Sequence, residues 1–417
     1  VKHNNRKLNK LSTSTKKNRR FAKALTAAGM SVAVLGSGLA FGIVPASADP
    51  VGDPANRAIV GFGSDTTQDV LNGLSQVVVN DDGIKTIGSW NATGSSTVTL
   101  ASGKTIPRPN GSSAGVAALR AATTSTAYPA GGTVLAPADI QFARSSSAAT
   151  FRADGTGTYT YIPFGVDAVS FAKAPTSAVP SDIALGATVG QNSDSDSNED
   201  LTLKNIYNAT DGELLEVGTS GVLVKVGRAG TGAAIVPFVP QSGSGTRTFW
   251  ATTLLGSSTA VFGGAVADSY TLAGASKPVQ EHDGQVTVDV TNAMVPFSIA
   301  QHIAQGKEAA LEASYQIAVA DRRRGAVLGT IGGVATTNTN GTLNSAFPIA
   351  RPVFNVVRTA DIAALSSTFV SGPDSVFAAK ATPTSTTSTI EDFGFGLLPL
   401  TVGGRTYTAG QTDLRVN

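Results

Sequence analysis

Three observations predict an α/β fold with largely parallel sheets. Short β-branched runs alternate with Ala/Leu-rich stretches along most of the chain, which is the pattern of strand–helix units. Loops rich in glycine, serine and threonine follow several of the apolar runs, where ligand sites of α/β sheets lie. No repeat of fixed period interrupts the alternation.

The elements follow in chain order. IVGFGS (Ile59–Ser64) reads as the end of a strand and TQDVLNGLSQVV (Thr67–Val78) as a helix. ADIQFARS (Ala138–Ser145) and YIPFGVDAVSFA (Tyr161–Ala172) are strands, and LTLKNIYN (Leu201–Asn208) is a short helix. GAAIVPFVPQ (Gly232–Gln241) is a strand, and TRTFWATTLLG (Thr246–Gly256) is a helix that Gly256 closes. MVPFSIAQHIAQGKEAAL (Met294–Leu311) turns from strand to helix, and PVFNVVRT (Pro352–Thr359) is a strand. The polar stretch Ser89–Asn110 reads as a hairpin or surface excursion, and Lys380–Asp392 is low-complexity Ser/Thr. Asn91-Ala92-Thr93 matches a glycosylation sequon by pattern only.

Residues 1–23 carry nine Lys/Arg and no acid, an apolar run follows from Ala24 to Val44, and Ala46-Ser47-Ala48 precedes Asp49. A basic head, an apolar middle and an A-x-A end are expected of a secretory signal peptide covering 1–48 and cleaved after Ala48. Without it, 22 basic residues face all 29 acids, a net charge of −7. The exported protein is then acidic, which speaks against a nucleic-acid partner, since phosphate-backbone binding needs a basic face. The chain has no cysteine, which excludes disulfides, thiolate metal sites, cysteine nucleophiles and a lipid anchor on an N-terminal cysteine. Only His282 and His302 survive cleavage, too few for a multi-histidine zinc site and nearly so for a catalytic triad. Neither a catalytic residue, a metal nor a cofactor is expected.

Four loops share one design. They are GSDTTQ (Gly63–Gln68), NGSSAGVAALR (Asn110–Arg120), ARSSSAA (Ala143–Ala149) and SGSGTRTFW (Ser242–Trp250). The first N–H groups of a helix lack internal partners and carry partial positive charge. Glycine lets backbone approach a ligand, and short hydroxyls donate to an oxyanion. Each loop alone fits a bland role. Asp65 and Gln68 match a capping box, Ser113 can cap the 114–120 helix, and the other two fit a loop and a tight turn. Their recurrence is what points to an anion site.

Other motifs are weaker. Ser242 stands where the G-x-S-x-G elbow needs glycine. Gly227–Gly232 reads as a turn. Asp194–Asp200 has alternating calcium-type ligands but lacks the glycine and the terminal acid of such a loop, so it reads as a solvated acidic segment. Arg322-Arg323-Arg324 reads as a solvated helix end.

The order of the four loops and of the strands between them, from about Ala58 to Leu398, resembles the PstS-like phosphate-capture proteins of ABC transporters, in the type 2 periplasmic-binding-protein superfamily. GSDT, NGSSAG, QFARSS and SGSGTR stand where that family has its anion loops. The resemblance implies two α/β lobes, 57–163 plus 296–417 and 164–295, joined by two crossover strands around an interlobe cleft. It implies a non-enzymatic, monomeric solute-binding protein, secreted, serving an ABC importer. The ligand would be phosphate, with sulfate left open. The site it implies comprises Ser64, Asp65, Thr66, Gly111, Ser112, Ser113, Arg144, Ser145, Ser146, Ser242, Gly243, Ser244, Gly245, Thr246 and Arg247, with Arg247 or Arg144 supplying the charge. Two departures stand out. Ser146 occupies the place of the family's aspartate, and Pro240-Gln241 that of its arginine. They leave room for a secreted binding or adhesion protein of the same fold with another ligand, such as a sugar stacked on Trp90 or Trp250.

Overall fold

The computed structural model describes residues 49, 54–193, 199–210, 214–217, 223–226 and 233–417. The expected signal peptide, the Gly227–Gly232 turn and most of the Asp194–Asp200 loop lie outside them. No helix among the described residues is long and apolar enough to cross a membrane.

A single mixed sheet organises the described residues of the second compact unit. Its main strands are β1 (Ile59–Gly63), β2 (Ile87–Ser89), β3 (Phe142–Ser145), β4 (Tyr159–Lys173), β5 (Leu214–Val217), β6 (Leu223–Val226), β7 (Ala233–Pro237), β8 (Ala293–Ser298) and β9 (Ala350–Arg358). They lie in the order β6-β5-β7-β8-β4-β9-β3-β1-β2. Pairs β1–β2, β1–β3 and β7–β8 are parallel. All other neighbours in that order are antiparallel. The sheet is therefore mixed, where the sequence predicted a largely parallel one. Part of the reason lies in β4. It pairs antiparallel with β9 over residues 159–168 and with β8 over residues 169–173, so it runs against both neighbours at the centre of the sheet.

All 15 residues of β4 are buried. Tyr159 and Tyr161 pack into one apolar cluster and Ile162, Phe164, Val166 and Phe171 into another, so both faces are covered. Such a strand reads as a continuous apolar run rather than an alternation. Asp167 sits in the middle of that run, fully buried.

Helices α1 (Gln68–Val77), α2 (Ser112–Thr124), α3 (Leu203–Asn208), α4 (Gly245–Leu255) and α5 (Ile299–Gln305) agree with the sequence pattern. Val70, Leu71 and Leu74 put one face of α1 into the core. Gly256 closes α4 in the left-handed region, at φ 80°. The capping box expected for α1 does not form. Its cap is Thr67, without a side-chain bond, and Gln68 turns its Oε1 to the Ala92 N–H instead. Gly111, not Ser113, precedes α2. The 89–110 stretch contains the hairpin Thr97–Thr99 with Thr105–Pro107. Asn91 within it is buried beside Asn72, so the sequon offers no accessible acceptor.

Candidate functional site

The four hydroxyl-rich loops meet. GSDTTQ leaves the end of β1 and enters α1, Asn110–Gly111 leads into α2, Ser146 follows β3, and Ser244 caps α4. The Ser64 hydroxyl donates to Ser146 Oγ at 2.9 Å, and Ser112 Oγ lies 3.4 Å from Ser146 Oγ. The Ser146 N–H donates to Ser112 Oγ at 3.1 Å. All three serines are buried. The N-terminus of α4 closes on them. A Cβ on Gly245 would collide with Ser112 Oγ and Ser146 Oγ, so only glycine permits this approach. A Cβ on Gly111 would likewise strike the Gly243 carbonyl.

Beside the serines lies a charged half. The Arg351 guanidinium, from β9, donates through Nη2 to Thr246 Oγ1 at 2.8 Å and Thr66 Oγ1 at 3.2 Å. Through Nε and Nη2 it holds Asp167 Oδ2 at 3.0 and 2.8 Å. Asp167 Oδ1 accepts from Ser298 Oγ at 2.7 Å and from the Ala300 N–H at 3.1 Å, at the start of α5. That pair is fully desolvated, and Arg351 Nη1 has no hydrogen-bond partner among the described residues. The ring of Phe249 lies 5.2 Å from the guanidinium carbon.

Glu281 and His282 complete the cluster. Glu281 Oε1 accepts from the Thr246 N–H at 3.2 Å and from Thr66 Oγ1 at 3.1 Å. Burial alone would push the Glu281 carboxyl up. Hydrogen bonds from His282 and from the Thr246 N–H, together with the Arg351 charge, outweigh it and hold the group below the ordinary carboxylate value. His282 Nε2 lies 2.8 Å from Thr66 Oγ1, while its Nδ1 accepts from the Ser298 N–H at 3.2 Å. His282 is in the left-handed region at φ 54°, which costs a non-glycine residue about 1 kcal/mol.

Several expected residues are elsewhere. Arg144 is fully buried but spent on the backbone. It donates to the Ser64, Trp90 and Gly63 carbonyls and to Ser89 Oγ, which ties the ends of β1 and β2 to β3. Arg247 points away from the cluster, to the Pro240 carbonyl and to Asp268, with a third of its side chain exposed. Ser113, Ser242, Gly243 and Arg247 line a separate open cavity of about 530 Å³. Ser145 closes a local turn onto Ser147. Ser244 serves as the cap of α4, accepting from the Arg247 N–H. Asp65 is clamped bidentately by Arg322 at 2.6 and 3.0 Å. Arg322 is therefore a partly buried tether, whereas Arg323 and Arg324 pair with Asp321 and Asp283 nearer the surface.

Arg351, Asp167, Glu281 and His282 escaped the sequence reading. One signal was available for the first two. A single acid in YIPFGVDAVSFA and a single base at the start of RPVFNVV interrupt runs that are otherwise apolar, and such charges must find each other.

No protein-family model and no curated protein matches this chain. Solved structures give low-similarity overlaps. An ABC-type phosphate transport receptor from Vibrio cholerae aligns over 82% of this chain and 100% of its own, at 12% identity and a TM-score of 0.43. PstS from Borrelia burgdorferi aligns over 82% and 98%, at 14% identity and a TM-score of 0.36. A phosphate-binding protein from Stenotrophomonas maltophilia aligns over 82% and 91%, at 12% identity and a TM-score of 0.36.

Proposed function

We propose that this is an exported solute-binding protein that captures a tetrahedral oxyanion, phosphate before sulfate, for an ABC importer. The observation that carries the reading is the convergence on the N-terminus of α4 of two groups: Ser112 and Ser146 beside Gly245, and Thr66 with the buried Arg351 beside Thr246, the Arg351 Nη1 having no partner among the described residues. Neutral hydroxyls, a helix N-terminus and one guanidinium are the groups that hold an oxyanion in a protein of net negative charge. In this reading the chain forms two lobes, 57–163 plus 296–417 and 164–295, with β4 and β8 as the crossovers, and ligand closes them as a monomer.

The same geometry speaks against catalysis at Thr66. The Ser298 N–H donates to His282 Nδ1, so neutral His282 carries its proton on Nε2. Nε2 then donates to Thr66 Oγ1 and has no lone pair with which to activate that hydroxyl.

A second reading, a secreted binding protein with a neutral polyhydroxyl ligand, gains from the charge count. Arg351 is offset by Asp167 and Arg322 by Asp65, which leaves Glu281 as excess negative charge. It loses from the tryptophans. Trp90 is buried against Phe62 and Trp250 against Tyr207, so neither offers a stacking platform for a sugar. Calorimetric titration of the purified secreted protein with inorganic phosphate and with sulfate decides. Saturable heat from phosphate supports the first reading; no heat from either anion at millimolar concentration removes it.

A further inference from the structure

The carboxylate of Glu281 sits where an anion on α4 would sit. Thr246 is the second residue of an eleven-residue helix, and its N–H is one of the outward donors of the first turn. The next N–H, of Arg247, is already taken by Ser244 Oγ. The Thr246 N–H is given to Glu281 Oε1, as is the Thr66 hydroxyl, and Thr66 Oγ1 is itself within reach of Arg351. Two buried atoms in the same cluster are left over among the described residues: the acceptor Glu281 Oε2 and the donor Arg351 Nη1.

The chain around Glu281 is built to aim that carboxylate. The Gln241 side chain accepts from the Glu281 N–H at 3.1 Å, the Gln305 amide donates to the His282 carbonyl at 3.2 Å, and Arg322 donates to the Glu281 carbonyl at 3.4 Å. The left-handed turn at His282 brings adjacent side chains, Glu281 and His282, onto the same Thr66 hydroxyl.

We infer that Glu281 is an internal ligand of the oxyanion site, holding the α4 N-terminus against Thr66, and that an incoming oxyanion binds by displacing it. This rests on the oxyanion reading of the cluster. Two anions cannot share the Thr246 N–H and the Arg351 field, because like charges a few ångströms apart in a buried site repel strongly. Ligand affinity is therefore set by the difference between the anion and the resident carboxylate, and the weaker partner leaves.

The test is calorimetry with inorganic phosphate on the purified secreted protein and on Glu281→Ala and Glu281→Gln, with circular dichroism as the check of folding. Glu281→Ala is expected to bind phosphate at least tenfold more tightly than the parent. Glu281→Gln, which keeps an acceptor for Thr246 but no charge, is expected to fall between, and it carries the test if the alanine variant does not fold. If the parent binds phosphate and both variants bind it no better or worse, Glu281 belongs to the ligand's own coordination and the inference is overturned while the oxyanion reading stands. If neither the parent nor any folded variant binds phosphate or sulfate, the oxyanion reading fails and takes the inference with it.

Discussion

Arg144 and Arg351 are both buried, on strands β3 and β9 that pair directly, yet they do opposite things. Arg144 ends on three carbonyls and one hydroxyl, with no carboxylate in hydrogen-bonding reach among the described residues. Burial pulls its pKa down to about 10, and the nearby charges of Asp65 and Asp69 limit the fall. Arg351 is paired with Asp167, reaches two threonine hydroxyls and keeps one nitrogen without a partner among the described residues. Burial of an arginine therefore does not mark a binding site. What its donors touch separates the two: Arg144 is spent on backbone carbonyls and braces strands, whereas Arg351 reaches side-chain hydroxyls and, in the proposed reading, is the group that meets the anion.

Four outcomes would break or sharpen that contrast. Replacing Arg351 by Met should have the largest effect. It leaves Asp167 buried without its counter-charge, at a cost of about 3–5 kcal/mol, and should abolish phosphate binding in whatever folds. Chemical denaturation and calorimetry read the two effects separately. Arg144→Met should cost about 3 kcal/mol, since several charge-assisted bonds to buried acceptors are lost together, but phosphate affinity in the folded fraction should stay within about threefold. A large loss of affinity there would erase the distinction between the two arginines.

Asp69 offers a smaller, pH-resolved test of the field around Arg144. Burial raises its pKa from 3.8 to about 6 against the opposing pull of Arg322. The folded state holds the proton more tightly than the unfolded chain, so the cost of the charged form is present above pH 6 and fades as pH falls through 6 towards 3.8. Asp69→Asn should raise stability at pH 7 by on the order of 2 kcal/mol and flatten the dependence of Tm on pH across that window. An unchanged pH profile would place the titration elsewhere. Arg247→Ala should do least, below about 1 kcal/mol in stability and no measurable change in phosphate affinity, because the ion pair with Asp268 is partly exposed on both sides and screened. A marked loss of affinity would restore Arg247 to the site that its sequence position suggested.

Much of the architecture was legible in local patterns. The α1 helix, the α4 helix with its Gly256 stop, and the long apolar strand around Tyr161–Ala172 form where the residue periods and punctuators put them. The hydroxyl loops were legible too, because a loop after a strand and before a helix carries its donors on its own backbone and short side chains. The capping box at Asp65 failed for the converse reason. A carboxylate has several possible partners, and Arg322, partly buried and far along the chain, outcompeted the local N–H groups.

By itself, then, the sequence determined the α/β element pattern, the absence of thiol chemistry and the presence of four loops rich in hydroxyls and glycine. Each depends on composition or on neighbours a few residues apart. Only the tertiary structure decided the mixed direction of the sheet, the placement of Arg351 rather than Arg144 or Arg247 beside Thr66 and Thr246, and the entry of Glu281 and His282 into the cluster. Asp167 and Arg351 are 184 residues apart. Long charged side chains take whichever partner burial leaves within reach, and which partner that is depends on how distant strands pair, a property no local stretch contains.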